Sequence, residues 1–151
     1  MGSSILSSQN IRIASELIFG VLLLMCGCLI YLLFRSENIN LYQWCSSIAL
    51  ADSIEQLRNR VCDYQVSEFI RFSLPDGLYC ASYILVVDAI WHNEKIIRHW
   101  IVALIPAIAL FSEIFQYFRV VNGTFDWYDL ICYVIPLLLY YISTNLKIKQ
   151  L

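Results

Sequence analysis

Apolar and polar positions alternate along this chain in long blocks. Leu17 to Phe34, Leu74 to Trp91, Trp100 to Phe118 and Tyr128 to Ile142 are dominated by apolar side chains, and most ionisable residues gather between or at the edges of these runs. The first run is uncharged throughout. At about 1.5 Å per residue it approaches the roughly 30 Å of hydrocarbon in a bilayer, so it predicts a spanning helix. A cleaved signal peptide fits it less well, because the run exceeds an ordinary h-region and no small-x-small site follows before Arg35. Gly20 and Gly27 share a face of this helix, where another helix can approach closely. Ser73, Leu74, Pro75 and Asp76 read as the start of the second span, with Ser73 as cap, Pro75 in the first turn and Asp76 complementing the helix dipole. Pro106 in the third run and Pro136 in the fourth each remove a backbone donor and press on the carbonyl four residues earlier, at Val102 and Cys132. Kinks are expected there.

Residues 35–73 are too polar to span. Asp52 with Glu55 resembles a capping box, and Ile54, Leu57, Val61 and Tyr64 then recur at helical spacing. This predicts a short amphipathic helix with Glu55, Arg58, Asn59 and Asp63 on its polar face. The expected fold is therefore all-α: one membrane domain over residues 1–151, an integral bundle of four transmembrane helices with an amphipathic helix in the first extracytoplasmic loop.

Composition sharpens this picture. Hydrophobic residues make up 60% of the chain and charged residues only 15%, whereas about 45–50% apolar is usual for soluble domains. With a net charge of -2 and no basic, aromatic-interleaved stripe, nucleic acid is not an expected partner. Arg12, Lys95, Arg98, Lys147 and Lys149 all fall on one side of a four-span topology, which the positive-inside rule makes cytoplasmic, with both termini there. Trp91, Trp100 and Trp127 fall at the predicted interfaces. The cysteines Cys26, Cys28, Cys45, Cys62, Cys80 and Cys132 form no metal-ligand spacing, and His92 and His99 lack cysteine partners, so no metal or other cofactor is expected. Cys45 and Cys62 both fall in the outward loop and are a candidate disulfide in an oxidising compartment.

The same topology brings ionisable residues together at the outward side. Asp76 opens the second span, Glu113, Gln116 and Arg119 close the third, and Asp126 and Asp129 open the fourth. These six are the candidate ligand-binding residues. Glu113 lies about 9 Å inside Arg119 along the helix axis, a depth at which charged groups normally face the bundle interior and find partners. Gln116 and Tyr117 share its face. Asp126 also reads as a helix-start residue, with Thr124 as the cap, and an Arg119–Asp129 pair would tie two helices together. Four acids near one base favour one acid retaining its proton, with Glu113 the candidate. Asn122, Gly123 and Thr124 read as a tight turn, and Asp88 as a local partner of His92.

LPDGLYCASYILVVDAIW followed by SEIFQYFRVVNGTFDWYDLICYVIP resembles the VanZ-like family of small multi-pass bacterial membrane proteins, over roughly residues 74 to 140. Glu113 and Gln116 match its Glu-x-x-Gln element, Arg119 approximately its Arg and Asp129 the Asp that opens a span. Arg119 comes early for that pattern, and Tyr133 stands where an Asn is usual. The resemblance implies a cell-envelope protein of the bacterial inner membrane. The leading functional expectation is binding of a polar ligand, a lipid headgroup or cell-wall precursor, at the outward cluster. A non-catalytic membrane subunit or immunity-type accessory protein, or a homo-oligomer, is the alternative. An intramembrane enzyme using Glu113 or Asp129 as general acid or base ranks last, because the chain has no HExxH, GxSxG or Gly-rich phosphate loop. Topology is directly testable. A single cysteine at position 122, in a cysteine-free background, should react with a membrane-impermeant maleimide in intact cells; labelling only after permeabilisation would invert the assignment.

Overall fold

The computed structural model describes residues 2–36, 40–47, 50–61 and 64–148. All regular structure among them is helical: α1 (Gly2–Phe34), α2 (Asn40–Ser47), α3 (Ala51–Val61), α4 (Leu74–Ile90), α5 (Lys95–Tyr117) and α6 (Trp127–Ile148). Four stretches are long and apolar enough to cross a membrane: Gln9–Phe34, Phe69–Ile90, Ile96–Tyr117 and Trp127–Leu146. The protein is thus an all-helical, multi-pass membrane type. Cys62, the expected partner of Cys45, lies outside the described residues, as do Asp63 and Lys149.

Helix α4 is the centre of the bundle and touches α1, α5 and α6. Between apolar helices in lipid there is little hydrophobic drive to associate, so close van der Waals fit decides the partners. Glycine supplies that fit at three places. A Cβ on Gly20 would lie 2.9 Å from Val86 Cγ2, and one on Gly27 would lie 2.8 Å from the Tyr79 ring. These contacts run α1 antiparallel to α4. On the other flank, a Cβ on Gly77 would meet Cys132 Cβ at 3.0 Å, which brings the first turns of α4 and α6 together. The core between α4, α5 and α6 is formed by Cys80, Ile84, Val87, Val102 and Tyr140. Outward-facing apolar residues such as Ile18, Phe19, Leu22 and Met25 on α1 are what a lipid-facing surface requires, since acyl chains solvate them as well as a core would.

Helices α5 and α6 run on through Pro106 and Pro136. Side chains of α4 donate to carbonyls one residue from those the prolines free: the Tyr83 hydroxyl to Ile101 O, and Cys80 Sγ, at 3.8 Å, to Tyr133 O. Neighbouring helices commonly re-satisfy a proline-disturbed ladder in this way.

The start of the second span differs from its sequence reading. Ser73 is not a cap: it has helical dihedrals and makes no capping hydrogen bond, because a π-helical turn, Phe69–Ser73, precedes α4 and carries the helix back to Phe69. The intervening segment is helical in two pieces. Helix α3 buries Ile54 while Leu57 and Tyr64 stay exposed. Its Arg58 donates from Nε to Leu32 O at 2.7 Å and from Nη2 to Arg35 O at 2.8 Å, satisfying carbonyls at the end of α1.

The close approach at Gly20 gives a direct expectation. Gly20→Leu drives a branched side chain into Val86 and the Ser82 carbonyl, and should destabilise the bundle by about 1–3 kcal/mol. The measurement is thermal unfolding in a fixed detergent; an unchanged midpoint would contradict this packing.

Candidate functional site

The up-and-down path places the end of α1 and the starts of α4 and α6 beside the end of α5. Asp76, Glu113, Asp126 and Asp129 converge there, close enough that Glu113 senses the charge of the other three. Glu113 is 94% buried, at 6% exposure, and its Oε2 accepts the backbone N–H of Asp126 at 3.4 Å. That bond links α5 to the beginning of α6. Asp126 serves as the helix cap, since its Oδ1 accepts the Tyr128 N–H at 2.9 Å, in the ordinary N-cap geometry. Asp129 is one turn deeper, and its Oδ1 is buried without a hydrogen-bond partner. Asp76 interacts with Asp129 across the Gly77–Cys132 contact, and the Tyr133 hydroxyl faces it from α6.

The cation turned toward these acids is Arg35, which interacts electrostatically with Asp76. Its guanidinium lies against two aromatic rings, 5.0 Å from the Tyr31 centroid and 4.8 Å from that of Phe72, and its buried Nε has no hydrogen-bond partner. Ser73 Oγ, at the π-helical turn, is also buried and unpartnered. Unsatisfied buried polar atoms are costly in a folded protein, and three of them occur at this end of the bundle. π-helical turns themselves concentrate at functional sites.

Arg119 and Gln116 behave otherwise. After α5 ends at Tyr117, the Arg119 N–H bonds Gln116 O and the Val120 N–H bonds Phe115 O. This is a Schellman ending with Arg119, at φ 58°, in the left-handed position that glycine usually takes. The reversal leaves Arg119 exposed, and among the described residues it makes no ion pair with Asp129. Gln116 folds against the turn instead: a Cβ on Gly123 would strike its Cδ at 2.6 Å, and its Nε2 donates to Ser112 Oγ at 3.5 Å. Gly123 has φ 151°, which L side chains rarely adopt. Of the six sequence candidates, Asp76, Glu113, Asp126 and Asp129 come together, while Gln116 and Arg119 serve the turn. Arg35, Ser73 and Tyr133 stand at this end of the bundle without having been site candidates, Ser73 having been read as a cap and Tyr133 as a departure from the family pattern. Tyr133 stands four residues after Asp129, a same-face signal, and Arg35 ends the first span at the level where Asp76 opens the second.

The opposite end carries a second polar layer. Asp88, 5% exposed, lies 3.4 Å from Arg12 Nη2 and 3.3 Å from Arg98 Nε, and Arg12 Nε also holds Glu16 at 2.7 Å. Asp88 therefore pairs with arginines from α1 and α5, while His92 engages Arg98 only through its carbonyl oxygen. The two layers differ in balance. Arg12 and Arg98 offset Glu16 and Asp88. Asp76, Glu113, Asp126 and Asp129 have no ion pair among the described residues, and no three His, Cys, Asp or Glu side chains there are placed to hold a metal ion.

Comparison of the chain with protein-family models, with curated proteins and with solved structures gives no match.

The imbalance has a measurable consequence. Removing one charge from an unneutralised cluster relieves repulsion, so Asp129→Asn and Asp76→Asn should each stabilise the empty protein, by about 0.5–2 kcal/mol. Arg119→Ala should stay within about 0.5 kcal/mol of wild type. Thermal unfolding in detergent reads both; loss of stability in the Asn variants would mark the acids as structural braces.

Proposed function

We propose that this protein is a bacterial inner-membrane, cell-envelope protein that binds an amine- or hydroxyl-rich head group, of a lipid or a cell-wall precursor, at the cluster of Asp76, Glu113, Asp126 and Asp129. In this reading the cluster faces the extracytoplasmic side, both termini are cytoplasmic, and α3 is the amphipathic helix of the first outward loop. The observation that carries it is the lack of a paired cation: four carboxylates converge with no ion pair among the described residues, and one buried oxygen of Asp129 has no partner. Acids that served only to hold helices together would carry counter-ions, as Asp88 does in its two arginines. A ligand supplying positive charge or several donors completes the outward set at the point where protein groups do not. Arg35, adjacent to Asp76, suits an anionic portion of the same head group. The VanZ-like resemblance agrees with a cell-envelope role and rests on Glu113, Gln116 and Asp129 as sequence elements.

Native mass spectrometry of the detergent-purified protein tests the reading. A small bound species should accompany wild type and Arg119→Ala and be lost from Asp129→Asn and Glu113→Gln. A species equally retained by all four proteins would overturn binding at this cluster, and a stoichiometric second polypeptide without any small ligand would replace it with the accessory-subunit role.

A further inference from the structure

Where α1 and α6 stand apart across α4, a groove of about 310 Å³ opens toward the Asp88 end. Its volume is at the lower end of the range of small-molecule sites. Phe19, Leu85 and Leu139 give it apolar walls, while Glu16, Asp88 and Tyr140 bring polar groups to it. Three oxygens on those side chains lack hydrogen-bond partners: Glu16 Oε2, Asp88 Oδ1 and the Tyr140 hydroxyl. Tyr140 is 8% exposed and Asp88 5%, so water solvates neither well. Asp88 Oδ1 lies 3.3 Å from Arg98 Nε, within ion-pair range but outside hydrogen-bond geometry. A second, shallower trough shares Glu16, Phe19 and Leu85 and continues along Ile18 and Leu22. Glu16 thus stands where two apolar tracks meet.

We infer that this groove is a site for a two-chain phospholipid bearing a primary ammonium, its head group at Glu16, Asp88 and Tyr140 and its chains along the two tracks. Three oxygens with free acceptor capacity match the three N–H donors of a primary ammonium, whereas a quaternary ammonium has none to give. Charge balance agrees with a zwitterion. Arg12 and Arg98 already offset Glu16 and Asp88, so a lone cation would leave the layer positive, while a head group that also carries a phosphate keeps it neutral. Arg12, with 43% of its side chain exposed, is the guanidinium accessible to that phosphate. All three residues line the groove, and the Glu16 carboxylate makes its hydrogen bond to Arg12 through Oε1, which leaves Oε2 as its acceptor for the ligand. The site is separate from the Asp76–Asp129 cluster and does not depend on the function proposed for it.

The test is lipid titration of the detergent-purified protein read by native mass spectrometry, with phosphatidylethanolamine, phosphatidylcholine and phosphatidylglycerol of identical chains. Wild type should retain phosphatidylethanolamine about tenfold over phosphatidylcholine, the expected weight of one hydrogen bond to a charged group. Tyr140→Phe, which keeps shape and leaves both arginine pairs of Asp88 in place, and Glu16→Gln, which keeps shape while giving up the Arg12–Glu16 ion pair, should each bring the two lipids toward parity. Ala81→Leu, which fills the groove, should reduce binding of both. Soluble phosphoethanolamine, the head without chains, should not compete. Equal retention of the two lipids by wild type, a preference for phosphatidylglycerol, or an undiminished preference in a Glu16→Gln/Tyr140→Phe double variant of wild-type melting temperature would overturn the site. So would effective competition by phosphoethanolamine. Loss of the preference in Asp129→Asn alone would move the lipid to the other end of the bundle and equally overturn it.

Discussion

Close approach to helix α4 is the constraint on which the remaining structure depends. In hydrocarbon, a helix gains almost nothing by exchanging lipid for another apolar helix unless the two surfaces fit tightly. Gly20 and Gly27 let α1 settle onto Val86 and Tyr79, and Gly77 lets α6 settle onto the opening turn of α4. The last contact has a chemical result as well as a mechanical one. It carries Asp76, next to Gly77, and Asp129, about one turn before Cys132, into electrostatic range of one another. A side chain at position 77 would press against Cys132 and widen this contact.

The bundle handles ionisable residues differently at its two ends. Around Asp88, each carboxylate has a guanidinium, and the arginines come from different helices, so the layer ties α1 and α5 to α4. Around Asp129 the carboxylates face the Tyr133 hydroxyl, two backbone N–H groups and a guanidinium already engaged by aromatic rings. Charges within a membrane bundle are expensive and normally find partners. The two layers therefore differ in charge balance, ion-paired around Asp88 and in carboxylate excess around Asp129, while both keep buried polar atoms without hydrogen-bond partners.

Much of the fold was legible because lipid imposes a simple rule. Long apolar runs must be helices, so Leu17 to Phe34 and its three successors announce themselves, and alternating spans then dictate that residues 76, 113, 126 and 129 share a level. What sequence could not resolve was direction around each helix and the geometry of helix ends. Arg119 follows Gln116 closely enough to suggest membership of the cluster, yet a left-handed turn at that residue sends it outward. Ser73 looks like a cap because Pro75 and Asp76 follow it, but a π-helical turn carries the helix back past it to Phe69. The pairing of Asp88 with Arg12 and Arg98 involves partners on two other helices, and the nearest titratable neighbour in sequence, His92, drew attention away from them. Arg35 was visible as the end of a span and carried no motif to mark it.

The two arginines at the end of α1 divide one task. Arg58 of α3 takes up the carbonyls of Leu32 and Arg35 in a planar fork, a geometry that a lysine ammonium does not reproduce. Arg35 lies back over the preceding turn, against the rings of Tyr31 and Phe72, within electrostatic reach of Asp76. A residue on a peripheral helix thereby secures the backbone that carries the guanidinium nearest Asp76 without touching that carboxylate, so substitutions in α3 would be felt at the bundle mouth.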